Sequence, residues 1–166
     1  MISIRVLGLD EGIHPVEIQV KVEDIEGISE EFFGNLDIEG EMKFFNGRHS
    51  LDINIACNAR LICDRSAEEF IEDIDTDIKL LFDVGGDSVK FLDDDTYDPE
   101  SIVLSGNSID ITKVVVDELS LALPMKRISP KYRDKDFEEL YPDRVEKTES
   151  TNNDSPWNEL NKLKFN

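Results

Sequence analysis

The chain has 166 residues, of which 39% are hydrophobic and 34% are charged, so it can form one globular domain with a substantial core. Its 38 acidic and 18 basic residues give a formal net charge of −20, which disfavours broad binding to nucleic acid or to anionic membranes. No apolar stretch approaches the ~20 residues that span a bilayer, and residues 1–6 lack the features of a secretory signal, so we expect a cytoplasmic protein.

The negative charge is concentrated in the first three quarters of the chain. Residues 1–123 contain 29 acidic and 9 basic residues, whereas residues 124–166 contain 9 of each. We therefore predict an acidic domain over 1–124 and a polar, partly disordered and mobile tail over 125–166, which ends in a short segment with Trp157 and leucines. An acidic domain suits a basic partner, and contact with RNA is expected in the tail or at a local basic cluster.

Strict alternation of apolar and polar residues indicates antiparallel strands in the first half of the chain. It predicts strands over 2–6, 16–22, 36–44, 51–63 and 70–84, with 8–15 joining the first two. Asn46-Gly47 is a strong signal for a tight hairpin between the third and the fourth. A capping-box pattern at Ser66–Glu69 leaves a short helical turn near 67–71 as an alternative, but the clean alternation from Ile74 to Val84 favours a strand.

The second half of the chain contains one predicted helix. Residues 85–108 are predicted to form a loop, in which Asp93–Asp95 lacks the spacing of an EF-hand and is interpreted as a solvated acidic run. The apolar period of 109–123 predicts a helix with Asp110 as N-cap, ended by Pro124. The predicted fold is α+β: an antiparallel β-rich domain of about six strands with one main helix packed on the sheet.

The sequence contains no pattern that indicates catalysis. No nucleophile elbow, phosphate-binding loop or His-Glu-x-x-His motif is present. Cys57 and Cys63 would lie ~20 Å apart along one strand, too far to share a zinc ion or a disulfide. His14 and His49 lie at loop or hairpin ends without the spacing of metal ligands and are interpreted as surface residues. These observations favour a binding protein over an enzyme.

Three segments resemble the YceD family of large-ribosomal-RNA accumulation proteins. The turn at 63–66 reads Cys-Asp-Arg-Ser, close to the family's Cys-x-Arg-Cys; an acidic helix ends in Leu-Ala-Leu-Pro at 121–124; and 155–164 is similar to the family's Asp-Pro-Arg-Trp-x-x-Leu-x-x-Leu ending. The resemblance covers roughly 51–124 and the tail. It implies a role in accumulating or maturing large-subunit ribosomal RNA in a bacterial cytoplasm, without a reaction.

This chain departs from the family pattern at the positions of its metal-type ligands. Ser66 stands where a second cysteine is usual, and 125–130 offers no His or Cys where members often carry both. Because a structural zinc ion needs four such ligands, we predict no metal and no cofactor, with Cys63 and Ser66 as remnants of the motif.

The charge and the resemblance together predict a non-enzymatic ribosome-biogenesis factor that binds a basic ribosomal protein or a precursor of the large subunit. An acidic interaction module for some other basic partner is the alternative. The candidate partner-binding residues are the local basic or aromatic ones: Arg65, Lys126, Arg127, Trp157, Lys162 and Lys164.

Overall fold

The computed structural model describes residues 1–85, 88–91 and 102–135, with Ser88 and Phe91 described by backbone alone. The chain divides into one unit over Met1–Ser129 and a second over Pro130–Asn166. In the second unit, the described residues begin with a 3-10 turn at Pro130–Tyr132. The Asp93–Asp95 run and the predicted tail beyond residue 135 lie outside the described residues.

The described part of the first unit contains eight strands and one α-helix, against about six strands predicted. The elements are β1 Ser3–Arg5, β2 Gly12–Lys21, β3 Phe32–Phe45, β4 Arg48–Ile62, β5 Glu69–Gly85, β6 Ser88–Phe91, β7 Val103–Ser105, β8 Ser108–Asp110 and α1 Thr112–Ala122. One sheet has the order β2-β3-β4-β5-β6 and the other β1-β8-β7, and all paired strands are antiparallel. The predicted α+β class is confirmed.

The long hairpin of β3 and β4 follows directly from the sequence. Asn46 and Gly47 have φ values of 53° and 77°, the left-handed conformation that a two-residue hairpin requires at both positions. Every second residue from Leu51 in β4 to Cys63 just after it is buried, as predicted. The strand prediction after residue 68 is also correct, and the alternative helical turn is wrong, because β5 pairs with β4 from Glu69 onward.

Gly40 allows β3 and β4 to approach closely in the middle of the sheet. An added Cβ at this position would lie 2.2 Å from the Asp52 carbonyl oxygen and 2.7 Å from the Ile53 Cα. Only a residue without a side chain fits there, which is a recognised reason for glycine inside a strand.

The helix and the segment before it differ from the prediction. The helix begins at Thr112 and not at residue 109, because Ser108–Asp110 pairs with β1 as β8. The N-cap is Ile111 and not Asp110, although Asp110 Oδ1 accepts a hydrogen bond from the first helical N–H, that of Thr112, at 2.9 Å. The predicted loop over 85–108 in fact contains β6, β7 and the start of β8. The other expectation is confirmed: α1 packs on β5 and buries Val114, Val115 and Leu119.

His49 is a core residue, which corrects its interpretation as a surface histidine. Its ring stacks between Phe44 and Phe82, with centroid distances of 4.6 and 5.1 Å, and only 2% of the residue is exposed. His49 is the first of the alternating inward-facing residues of β4, two positions before Leu51. The Val6 carbonyl lies 3.0 Å from Nε2, so a proton on Nε2 leaves Nδ1 as a buried acceptor that has no partner among the described residues. His14 is partly exposed at the edge strand.

Candidate functional site: an acidic sheet face and the Cys63 turn

The outward face of the five-stranded sheet carries a group of carboxylates, which we call the carboxylate face. Side chains alternate between the two faces of a strand, so the residues between the buried ones all point outward. All of them are exposed or half-buried. The carboxylate face consists of Glu17, Asp37, Glu39, Glu41, Asp52, Asp73, Asp75 and Asp77.

The strand register places these carboxylates opposite one another. One row across four strands runs Glu17, Glu39, Asn54 and Asp77. Directly opposed side chains in antiparallel strands have Cβ atoms ~4.5–5.5 Å apart, and like charges in such pairs destabilise the sheet. The pairing of Glu17 with Glu39 is therefore a cost to folding that the sequence retains.

The next row continues the acidic surface past a small central residue. It runs Gln19, Asp37, Ala56 and Asp75. The small side chain of Ala56 leaves a shallow depression of about 160 Å³ between the carboxylates of β3 and those of β5.

Neutral amides and two lysines offset only part of this charge. Asn54 Nδ2 donates to Asp75 Oδ1 at 2.8 Å and to Asp77 Oδ1 at 3.1 Å. Lys79 lies 3.1 Å from Asp52, and Lys43 pairs with Glu41, both at one end of the carboxylate face. A surface with this excess of carboxylates attracts cationic side chains.

At the far end of β4 lies the turn at 63–66, which we call the Cys63 turn. The Asp64 N–H donates to the Arg127 carbonyl, and the Arg127 N–H donates to Asp64 Oδ2, both at 2.7 Å. The Arg127 guanidinium also lies 2.5 Å from Glu31 Oε1. The fold thus brings together the segment after the helix, the turn, and the residue that precedes β3.

The Cys63 sulfur accepts hydrogen bonds inside this turn. The residue is 1% exposed, and the Ser129 N–H donates to its Sγ at 3.4 Å. Burial raises the pKa of the Cys63 thiol. Hydrogen bonds from Ser129, Ser66 and Arg65 together have a larger, opposite effect, and the net result is a pKa lowered to about 7. Donors that favour the charged form of a group lower the pKa of an acid.

These surroundings do not fit the zinc ion that the family pattern implies. The groups directed at Cys63 are N–H donors and the hydroxyl-bearing Ser66, which stabilise a thiolate but do not complete a set of metal ligands. Within residues 1–85, 88–91 and 102–135, no three His, Cys, Asp or Glu side chains are grouped so that they could hold a metal ion.

The predicted partner-binding residues lie in different settings. Arg65 is half-buried in the Cys63 turn, Lys126 is exposed beside it, and Arg127 is engaged with Glu31 and Asp64. Trp157, Lys162 and Lys164 lie outside the described residues.

Two features of the site were not predicted. The carboxylate face could have been found from the sequence, because alternation along each strand places Glu17 and the other carboxylates between the buried residues and therefore on the outward face. The pairing of Glu31 with Arg127 joins residues 96 positions apart, and no local pattern signals it.

The fold and the site define a β-sheet protein that has an open acidic face and a turn held together by hydrogen bonds. The chain belongs to the YceD family: the model described as large ribosomal RNA subunit accumulation protein YceD matches residues 51–164. This match runs from β4 through α1 into the tail, and it confirms the resemblance. No curated protein and no solved structure matches the chain. Among the described residues, no helix is long and apolar enough to cross a membrane.

Proposed function

We propose that this chain is a non-enzymatic ribosome-biogenesis factor of the cytoplasm, which supports the accumulation or processing of large-subunit ribosomal RNA by binding a basic ribosomal protein. Membership in the YceD family supports the ribosomal role. The carboxylate face supports the choice of a basic protein as the direct partner. In this proposal residues 1–124 act as the acidic binding domain and residues 125–166 as its tail.

The observation that carries the proposal is the directly opposed pair of carboxylates Glu17 and Glu39, in a row across four strands that also contains Asp77. A sheet that needed this face only for solubility could alternate acidic and basic residues and avoid the repulsion between Glu17 and Glu39. A partner rich in Lys and Arg removes that repulsion when it binds, and the negative field speeds its approach. RNA, which is itself anionic, is repelled by the same field.

Co-sedimentation with precursors of the large subunit, followed across a salt titration, tests the proposal. The face variant combines Glu39→Gln, Asp73→Asn and Asp75→Asn, which are exposed carboxylates of the carboxylate face. Its matched control combines Asp24→Asn, Glu26→Gln and Glu30→Gln, which are exposed and lie in the connection between β2 and β3. Both variants change the net charge by the same amount.

We expect the wild-type protein and the control to sediment with the precursors, and the face variant to bind roughly tenfold more weakly. If the wild-type protein is absent from large-subunit precursors under gentle conditions, the proposed role is wrong. Equal losses in the two variants would mean that net charge and not the carboxylate face governs binding.

A separate substitution tests direct contact with RNA through the tail. In a complex bridged by protein, Lys162→Ala combined with Lys164→Ala leaves co-sedimentation unchanged. If this pair weakens the association more than the face variant does, RNA and not a basic protein is the main partner.

A further inference from the structure

Among the residues that the structure describes, the outer edge of β2 pairs with no other strand. β2 is the first strand of the five-stranded sheet and pairs with β3 along its whole length, Gly12 to Lys21. Among the described residues, no backbone hydrogen bond from β2 reaches any other strand. An unpaired edge presents a row of N–H and C=O groups on which another strand can pair.

The register shows which backbone groups face this edge. The two-residue hairpin makes Phe45 and Arg48 a hydrogen-bonded pair. The backbone groups of the odd-numbered residues of β3 therefore bond to β4, and those of the even-numbered residues bond to β2. The even-numbered residues of β3 lie opposite the even-numbered residues of β2, so these residues of β2 use their backbone groups to bond to β3. The N–H and C=O groups of Glu17, Gln19 and Lys21 therefore point outward.

Pro15 supports this assignment independently. Proline has no N–H, and inside a sheet it is found where that N–H would face away from a partner strand. Pro15 occupies one of the odd positions of β2, in the same set as Glu17. The open part of the edge thus runs from Glu17 to Lys21, after the proline.

A groove beside β2 overlaps the open part of the edge at Glu17 and Ile18 and could receive side chains of an added strand. It has a volume of about 250 Å³ and extends from β1 to residues 14–18 of β2. Its apolar lining includes Ile4, Leu9, Val16, Ile18 and Met42, and Arg5 and Glu17 also line it. On the opposite face of β2, the neighbouring side chains are Glu17 and, one strand further in, Asp37 and Glu39.

We propose that the outer edge of β2 binds an extended segment of a basic protein, which adds to the sheet as a further strand. Its side chains alternate: apolar ones enter the groove, and lysines or arginines lie beside Glu17 and the carboxylate face. The inference rests on the proposed function for the basic character of the partner and adds the mode of binding. A second copy of this chain fits less well, because pairing two β2 edges brings the carboxylates of both together.

Binding of a short peptide in which lysine and valine alternate, as long as the segment from Glu17 to Lys21, tests this proposal on the full chain. Gln19→Pro removes one outward N–H and leaves the bonds to β3 in place. Gln19→Ala is the matched control, because both substitutions remove the Gln19 side-chain bond to Asp37 but only the proline removes the N–H. We expect roughly tenfold weaker binding for Gln19→Pro and nearly unchanged binding for Gln19→Ala.

A modified peptide provides a second measurement that does not depend on the folding of a variant. Methylation of alternate backbone nitrogens of the peptide blocks strand pairing but keeps its charge and its side chains. We expect the methylated peptide to bind the wild-type protein roughly tenfold more weakly. Equal binding of both peptides, or equal binding by Gln19→Pro and Gln19→Ala, would show that charge attraction alone holds the segment and would overturn the inference.

The outcome can be separated from that of the proposed function. If Gln19→Pro co-sediments with large-subunit precursors as the wild-type protein does, while the face variant does not, strand addition is wrong and the proposed function stands. Concentration-dependent dimerisation that Gln19→Pro abolishes would identify a second copy as the occupant and would also contradict a basic partner at this edge.

Discussion

The two faces of the five-stranded sheet come from the same strands and have opposite effects on stability. The inner face removes apolar side chains from water, and the outer face holds like charges close together. On β4 the inner set includes Leu51, Ile53 and Ile55, each at most 1% exposed, while the outer set includes Asp52 and Asn54. A sheet whose inner face provides the stability can retain an outer face that is selected for binding.

The largest difference between the faces is expected for matched truncations of isoleucine. Ile55 is fully buried on the inner face of β4, and Ile71 on the outer face of β5 is 58% exposed. Ile55→Ala should lower the free energy of unfolding by about 2–5 kcal/mol, because it removes buried methyl groups and leaves a cavity. Ile71→Ala should cost about 1 kcal/mol or less. Urea unfolding of both variants measures the two values.

Similar losses in the two variants would break the comparison. Such a result would mean that Ile71 is covered in solution, for example by a second copy of the chain. Repeating the measurement at several protein concentrations distinguishes the cases, since only self-association makes the midpoint depend on concentration.

The next largest effect is expected at Gly40, where the inner face has no room for a side chain. Gly40→Ala forces a Cβ to within 2.2 Å of the Asp52 carbonyl oxygen, so β3 or β4 must shift. Overpacking of this kind costs about 1–3 kcal/mol. The control is Gly85→Ala, at a position with nothing within 4 Å of the added Cβ. Thermal unfolding should show a lower Tm for the first variant and little change for the second.

A smaller effect with the opposite sign is expected on the outer face. Glu39→Gln relieves the repulsion from Glu17 across the strand pair and should raise the free energy of unfolding by about 0.2–1 kcal/mol. The gain should shrink as salt is added, because salt screens exposed charges. Glu26→Gln, in the connection between β2 and β3, is the control and should have almost no effect. A destabilised Glu39→Gln would show that this carboxylate contributes to the fold.

Local sequence patterns predicted the long central strands of the five-stranded sheet correctly but missed the short strands of the other sheet near the helix. The alternation in β4 and the Asn46-Gly47 turn specify their structure within a few residues, and both predictions were correct. The short strand Ser108–Asp110 was missed: Ser108 was assigned to the predicted loop, and Ile109 and Asp110 to the start of the predicted helix. Its strand state is decided by pairing with β1, more than 100 positions away in the chain.

In the candidate site, too, local patterns indicate some features, while others depend on residues that are distant in the chain. The carboxylate face follows from alternation once the strands are known, although its residues were first considered only as a net charge. The Cys63 turn was recognised from its family motif, but its partners at 127 and 129 come from a distant segment. The buried position of His49 was missed because a polar residue beside a hairpin was assigned to the surface, although it continues the inner set of β4.

Cys57 in β4 and Cys63 in the turn that follows it allow the finest test, since both are buried but their pKa values shift in opposite directions. Burial raises the pKa of Cys57, whereas the hydrogen bonds of the Cys63 turn outweigh burial and lower the pKa of Cys63 from its usual 9.0 to about 7. Between pH 7 and 9.0 the folded state has therefore released the Cys63 proton, while the unfolded chain keeps it, so stability should rise with pH across this window. Cys63→Ala should abolish that rise.

Above pH 9.0 the folded state holds the Cys57 proton longer than the unfolded chain does, so Cys57 makes stability fall with pH. Cys57→Ala should remove that fall. Unfolding measured over this pH range gives both slopes, and identical slopes in the two variants would mean that the Cys63 turn does not stabilise a thiolate.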